Sequence, residues 1–197
     1  SRRQRQMCIR DRYQTYDVTA QLQQENELIA VVGGGWAVGS FTYKRVNRNY
    51  VDRQALLCEL RITYEDGTEE IIGTDESWEV TLDGAVRETE FYNGEVYDAT
   101  VDLEQISWHK AAKEQVKLQP EILAQYGAPV KAHEVFHPVS VTKAPSGVLI
   151  YDFGQNFAGV VSAKIKGKKG QKITFRHAEI LMDGELFTKP LRSAKQE

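Results

Sequence analysis

The sequence predicts an all-β protein: two antiparallel, jelly-roll-like β-sandwich modules joined by a linker with a short helix. Three observations predict it. Residues 56 to 64 alternate with period two, Leu56, Cys58, Leu60, Ile62 and Tyr64 on one side and Glu59, Arg61 and Thr63 on the other, the pattern of a half-buried antiparallel strand. Short apolar runs recur along the chain, separated by turn dipeptides such as Asp66-Gly67, Ser146-Gly147, Lys169-Gly170 and Asp183-Gly184. Helical period is almost absent, so short strands with regular turns fill both halves.

In chain order, Leu28 to Val32 reads as a short buried strand. The alternating run to Tyr64 continues through Asp66-Gly67, a tight-turn pair, and Glu69 to Ile72 returns as its hairpin partner. Trp78 to Thr81 and Val96 to Val101 are further strands. Residues 110 to 128 differ: they are polar, with Pro120 before Glu121 and Gly127 after Tyr126. Pro near the start and Gly past the end suit a helix of one or two turns within a linker. Strand signals resume at Val139 and Val141, then at Val148 to Phe153, Val160 to Ile165 and Lys172 to Ile180. The domains expected are therefore 13 to 109, a linker at 110 to 128, and 129 to 197.

The first dozen residues stand apart. Ser1 to Arg12, SRRQRQMCIRDR, has no apolar period and no turn logic, and Met7 to Arg12 reads like a translated sequencing-library adapter. It is set aside from the fold as an artefact or a disordered tail.

Composition bounds the function. The chain has 197 residues, 41% hydrophobic and 27% charged, enough for a globular core and too apolar for intrinsic disorder. Its net charge is −3, with both signs interspersed, so neither nucleic acid nor a membrane is expected as a partner. Of the two cysteines, only Cys58 lies outside the set-aside segment, and one cysteine forms no internal disulfide. With no secretory signal read at the start, that leans towards a cytoplasmic location. A missing true N-terminus, which is also expected, would leave location open.

Three short motifs mislead. Gly33-Gly34-Gly35-Trp36-Ala37-Val38-Gly39 follows an apolar run, with Asp52 some way on, and imitates a nucleotide loop. That chemistry needs a helix N-terminus aimed at phosphate, and strand-like Ser40-Phe41-Thr42-Tyr43 follows instead. His133-Glu134-Val135-Phe136-His137 matches a zinc-protease pattern, which requires a helix. Pro138 disfavours helical backbone at His137, so two surface histidines on an extended edge are expected. Asp152-Phe153-Gly154 lacks the other parts of a kinase. No cofactor and no metal site is expected.

Longer blocks carry a resemblance. Tyr13 to Thr19 followed by Asn26-Glu27-Leu28-Ile29, then Gly33-Gly34-Gly35-Trp36, Tyr64 to Thr68, Thr74 to Trp78 and Tyr92-Asn93-Gly94-Glu95-Val96-Tyr97-Asp98-Ala99 resemble the N-terminal domain of bacterial α-L-rhamnosidases. Pro138-Val139, Tyr151 to Asn156 with Gly159, Arg176 to Leu181 and Leu191 to Ala194 are similar to the concanavalin-like module that follows it in that family. Gly34 departs from the family, where asparagine is common in the middle of the glycine turn. The resemblance covers Tyr13 to the end. It implies two truncated β-sandwich modules, and a parent enzyme that hydrolyses terminal α-L-rhamnose from glycosides with inversion. Its catalytic carboxyls would lie on an (α/α)6 barrel beyond Glu197, so no catalytic residue is assigned here. The partners implied are a rhamnose-containing glycoside, the missing catalytic domain in cis, and a second copy in a homodimer. The alternative is a stand-alone carbohydrate-binding β-sandwich.

Within these blocks the candidate sugar contacts are Trp36, as a stacking surface after three glycines, and Asp152, Gln155 and Asn156 on one loop. Asp152 and Asn156 equally suit a backbone-bonded tight turn. Glu95 and Asp98 are three apart in an extended run, on opposite sides, so a turn or interdomain role is expected rather than an acid–base pair. Trp78 and Cys58 read as core, and His177 and Glu179 as a strand face or a domain contact.

Overall fold

A computed structural model of the chain describes residues 12–41, 44, 46–48, 50–114, 122–128, 130–195 and 197. Most of the foreign-looking N-terminal segment, Cys8 and linker residues 115–121 lie outside them. The described residues form an all-β structure of short strands in two-stranded sheets, all antiparallel but one. No helix among them is long and apolar enough to cross a membrane.

The first pair is the parallel one. β1 (Arg12–Tyr13) runs beside β8 (Leu123–Ala124), and the Gln125 amide donates to the Tyr13 carbonyl at 3.0 Å. Arg12, set aside with the foreign segment, is thus part of a strand. The linker helix does not extend into 122–128, which is strand and turn. The start of the expected helix, Pro120 and Glu121, lies outside the described residues, and Leu123 to Gln125 pair with Arg12 and Tyr13 instead of forming its later turn.

β2 (Glu59–Thr63) and β3 (Glu69–Gly73) form the expected hairpin, with Thr63 opposite Glu69 and Leu60 opposite Ile72. Leu60 and Ile62 are half-buried and Glu59, Arg61 and Thr63 exposed, as the alternation requires. Gly67 supplies the left-handed residue of the turn, at φ +83. Asp66 Oδ1 accepts from the Thr68 backbone at 2.9 Å and from its hydroxyl at 2.7 Å.

β4 (Glu79–Val80) pairs with β7 (His109–Lys110), and Lys110 reaches Glu79 across the strands at 3.2 Å. β5 (Val86–Glu90) pairs with β6 (Gly94–Tyr97) through a bulge between Val86 and Glu88. β5 carries too few apolar residues to be seen in the sequence. In the second half, β9 (Ser140–Lys143) and β10 (Leu149–Asp152) make a hairpin closed at Gly147, φ +91. β11 (Leu181–Met182) and β12 (Glu185–Leu186) close over Asp183 and Gly184, at φ +53 and +77. Positive φ at both central residues is the mirror-image turn that matches the strand twist.

Three expected strands are absent. Leu28 to Val32 is not a strand, and Leu28, Ile29 and Val31 are more than half exposed. Val160 to Ile165 and Lys172 to Ile180 are likewise not strands. Their patterns suit a sheet, but a strand exists only where a neighbour takes its backbone groups in a ladder, and the single bonds from Gln54 Nε2 to the Val32 carbonyl and from Phe187 N–H to the Ile180 carbonyl make none. The core is correspondingly small: Ala144 and Ile150, on β9–β10 and its loop, are the buried apolar side chains among the described residues. Cys58 is half-buried, and Trp78 is half-buried with its indole N–H on the Gly73 carbonyl at 3.1 Å.

One local device repeats. Asp17, Asp66, Asp75 and Asp98 each turn a carboxylate oxygen onto the backbone N–H two residues on, from Thr19, Thr68, Ser77 and Thr100. Hydrogen bonds from these Thr and Ser partners hold all four carboxyls below the usual range. A carboxyl depressed in the fold stabilises it fully above its unfolded pKa, and this is lost as pH falls through the lower folded value. The turns should therefore loosen below about pH 4, seen as faster amide exchange at Thr68 and Thr100. Asp66→Asn and Asp98→Asn, which keep an acceptor without the charge, should flatten that pH dependence.

Candidate functional site: the junction of the glycine turn, β5–β6 and the C-terminal segment

Three of the sequence blocks meet at one place. The glycine turn is anchored by Gly34, whose N–H donates to the Thr89 carbonyl of β5 at 3.0 Å. Its own carbonyl accepts from Val38 and Gly39 at 3.0 and 3.1 Å. Gly39 is buried, and a Cβ there would collide with the Gly35 carbonyl and lie 2.7 Å from Glu90 Oε2. The turn therefore needs glycine at this position for space, not for phosphate. No helix follows it among the described residues.

Glu90 is the hub. One carboxylate oxygen accepts the Ser40 backbone N–H at 2.7 Å, and the other accepts from the Asn93 side-chain amide. That amide also reaches the Ser40 hydroxyl at 3.3 Å. Glu95, next to it on β6, accepts from the Thr89 hydroxyl at 3.3 Å. Glu90 and Glu95 are half-buried, and both hold backbone and neighbours in place. Asp98, beyond the strand, closes its turn on Thr100.

Trp36 sits above this network. Its ring stacks on Phe91 with centroids 5.4 Å apart and meets Phe41 and Tyr92 edge-on at 5.2 and 6.5 Å. Such pairs favour offset and edge-to-face geometry, which orders the turn.

The third block arrives from the other end of the chain. Lys195 N–H donates to the Tyr92 carbonyl at 3.0 Å, Glu197 N–H to Asn93 at 3.0 Å, and Glu95 N–H to Glu197 at 2.8 Å. The last two bonds flank Gly94 as in a parallel bridge, so Glu197 is held beside β6. The Tyr92 and Ser193 hydroxyls are 2.6 Å apart, and Arg176 reaches Glu197 at 2.9 Å. Gly94, at φ +101, faces the Glu197 backbone with no room for a side chain. The family-like Asn93-Gly94-Glu95 block is therefore the seat of Glu197.

The remaining candidates lie elsewhere. Asp152 ends β10, where its Oδ1 accepts the Gly154 N–H at 2.8 Å and its carbonyl accepts Val139 N–H at 2.7 Å. Gln155 and Asn156 follow on an exposed loop beside the ring cluster of Phe136, Phe153 and Phe157. No hydrogen bond or ring contact among the described residues joins this loop to Trp36. His133 and His137 are exposed and not on a helix, so they lack the one-face spacing of the zinc motif. His177 and Glu179 are also exposed, beside Arg176. Sequence reasoning missed Glu90, Ser40 and the docking of the C-terminal residues on β6. The signal for the last was present in the block Leu191 to Ala194, whose partner could not be read from order alone.

Comparison with known proteins accounts for the blocks. Residues 6–150 match the α-L-rhamnosidase N-terminal domain, and residues 142–197 the bacterial α-L-rhamnosidase concanavalin-like domain. An α-L-rhamnosidase of Streptomyces avermitilis is 33% identical over 195 residues, covering 94% of this chain and 19% of that protein. One of Alteromonas sp. (strain LOR) is 32% identical over 190 residues, covering 91% of this chain and 20% of that protein. The crystal structure of native α-L-rhamnosidase from Aspergillus terreus superposes with a TM-score of 0.75 at 31% identity, over 94% of this chain and 23% of that one. The Streptomyces avermitilis enzyme complexed with L-rhamnose gives 0.69 at 30% identity, over 83% and 16%. The chain thus spans about a fifth of the relatives it matches. With the family's N-terminal domain over most of its length, this chain belongs to the α-L-rhamnosidases.

Proposed function

We propose that this chain is the non-catalytic N-terminal part of an enzyme that hydrolyses terminal α-L-rhamnose from glycosides with inversion. The observation that carries this is coverage: two β-domain models match in order, over about a fifth of the relatives' length. Inversion needs an acid and a base carboxyl about 6.5–9.5 Å apart with room for water between them. The carboxylates of Glu90, Glu95, Asp98 and Asp152 instead accept hydrogen bonds that hold turns and strands. The catalytic pair then belongs to an (α/α)6 barrel in cis, which this part supports.

A share in recognising the rhamnoside falls to Trp36, Asp152, Gln155 and Asn156. Phe91 already stacks on Trp36 and Asp152 closes its own turn, so exposed Gln155 and Asn156 carry most of that role. The purified 197-residue chain should release no 4-nitrophenol from 4-nitrophenyl α-L-rhamnopyranoside above the buffer rate. Turnover by the chain alone, abolished by replacing any of its own carboxylates, would overturn the reading.

A further inference from the structure

A second concave site lies away from both the junction and the Asp152 loop. Tyr13, Gln14, Thr15, Tyr16 and Asp17 on one side and Ala124, Gln125, Gly127 and Lys131 on the other line an open cleft of about 440 Å3, within the size range of small-ligand sites. The parallel β1–β8 pair forms its base, and the Gln125 amide fixes it to the Tyr13 carbonyl.

The lining has a definite chemistry. Two tyrosines offer apolar faces with polar rims. Gln14 and Gln125 bring amides, Asp17 a carboxylate and Lys131 an ammonium. One cation and one carboxylate leave the lining with no formal net charge, which disfavours phosphate and other anions. Gln125 Oε1 is buried and has no hydrogen-bond partner among the described residues. A buried carbonyl without a donor is costly, and a ligand hydroxyl would supply one. Donors and acceptors arranged around aromatic faces match a neutral polyhydroxylated ring.

We propose that this cavity binds a single pyranose, with Tyr13 and Tyr16 against the ring and Gln125, Gln14 and Lys131 on its hydroxyls. Only the choice of L-rhamnose as first probe rests on the functional reading above. The site would hold a sugar unit remote from the bond being cleaved, adding grip on a branched or polymeric glycoside.

The test is a titration of the labelled 197-residue chain with L-rhamnose, followed by amide chemical shifts, with glycerol as the non-ring control. Protection of the Gln125 amide reports that the base of the cavity is intact. Saturable millimolar shifts at residues 13–17 and 124–131 are expected. Gln125→Met, and Lys131→Ala at an exposed position that folding does not need, should each weaken them about fivefold, the worth of roughly one hydrogen bond. The double variant Gln155→Ala, Asn156→Ala should leave them unchanged. The site is overturned by an unprotected Gln125 amide, by shifts confined to the Asp152 loop, by equal response to glycerol, or by wild-type binding in both cavity variants. None of these outcomes bears on whether the chain is part of a rhamnosidase, which turnover and gene sequence decide.

Discussion

Gly94→Val should detach the C-terminal segment from β6. At φ +101 a valine is strained by about 1–3 kcal/mol before any contact is counted. A Cβ would also lie 2.6 Å from Glu197 N and overlap the Glu197 carbonyl. Backbone cannot step aside as a flexible side chain does, so the bridge bonds from Glu197 to Asn93 and from Glu95 to Glu197 break first. The Tyr92–Ser193 and Arg176–Glu197 contacts go with them. Amide exchange at Glu95 and Glu197 should rise to the rate of open chain. Exchange at Leu60 and Ile62, in the separate β2–β3 hairpin, should stay as it was. Ser193→Ala removes only the hydroxyl contact and should cost about 1 kcal/mol or less of local protection. Unchanged exchange at Glu197 in Gly94→Val would show that the docking does not depend on this glycine.

The second large effect concerns the chain as a whole. It exposes 17339 Å2, whereas a compact monomer of 22.4 kDa exposes about 9,400 Å2. Leu57, Val31, Leu82, Val135, Val139 and Val160 are each at least 65% exposed. Two-stranded sheets also leave unpaired edges on both sides, ready templates for another chain. The isolated chain should therefore associate as its concentration rises and melt over a broad range without a single cooperative step. Analytical ultracentrifugation and calorimetry read this directly. A monodisperse monomer with one sharp transition would mean that the apolar surface is covered within the chain itself.

The parts of the fold legible in the sequence are those fixed by local chemistry. Asp66-Gly67 and its alternating flanks specify both the turn and the register of β2–β3. Asp183-Gly184 and Ser146-Gly147 mark hairpins in the same way. Asp152 and Asp98 were readable as turn formers because an aspartate two residues before a suitable N–H has an intramolecular partner at hand.

What was not legible depends on distant partners. Leu28 to Val32 and Val160 to Ile165 have strand composition, but composition does not supply a neighbour. The backbone of 122–128 obeyed Tyr13 rather than the proline and glycine that suggested a helix. Glu90 could not be singled out because its role exists only when Ser40 and Asn93 are brought to it. The family blocks could be read long before their purpose. Gly33 to Trp36, Tyr92 to Glu95 and Leu191 to Ala194 are far apart in sequence and become one structure at the junction.

The most direct test of the proposed function is the sequence of the gene itself, read through both ends from source DNA. The result expected is that Met7 to Arg12 vanishes, further strand-forming sequence precedes Tyr13, and the frame continues past Glu197 into a helical domain with paired acidic residues. A frame that begins with the same N-terminal residues and stops at Glu197 would contradict it, and a stand-alone carbohydrate-binding module would then be the better reading.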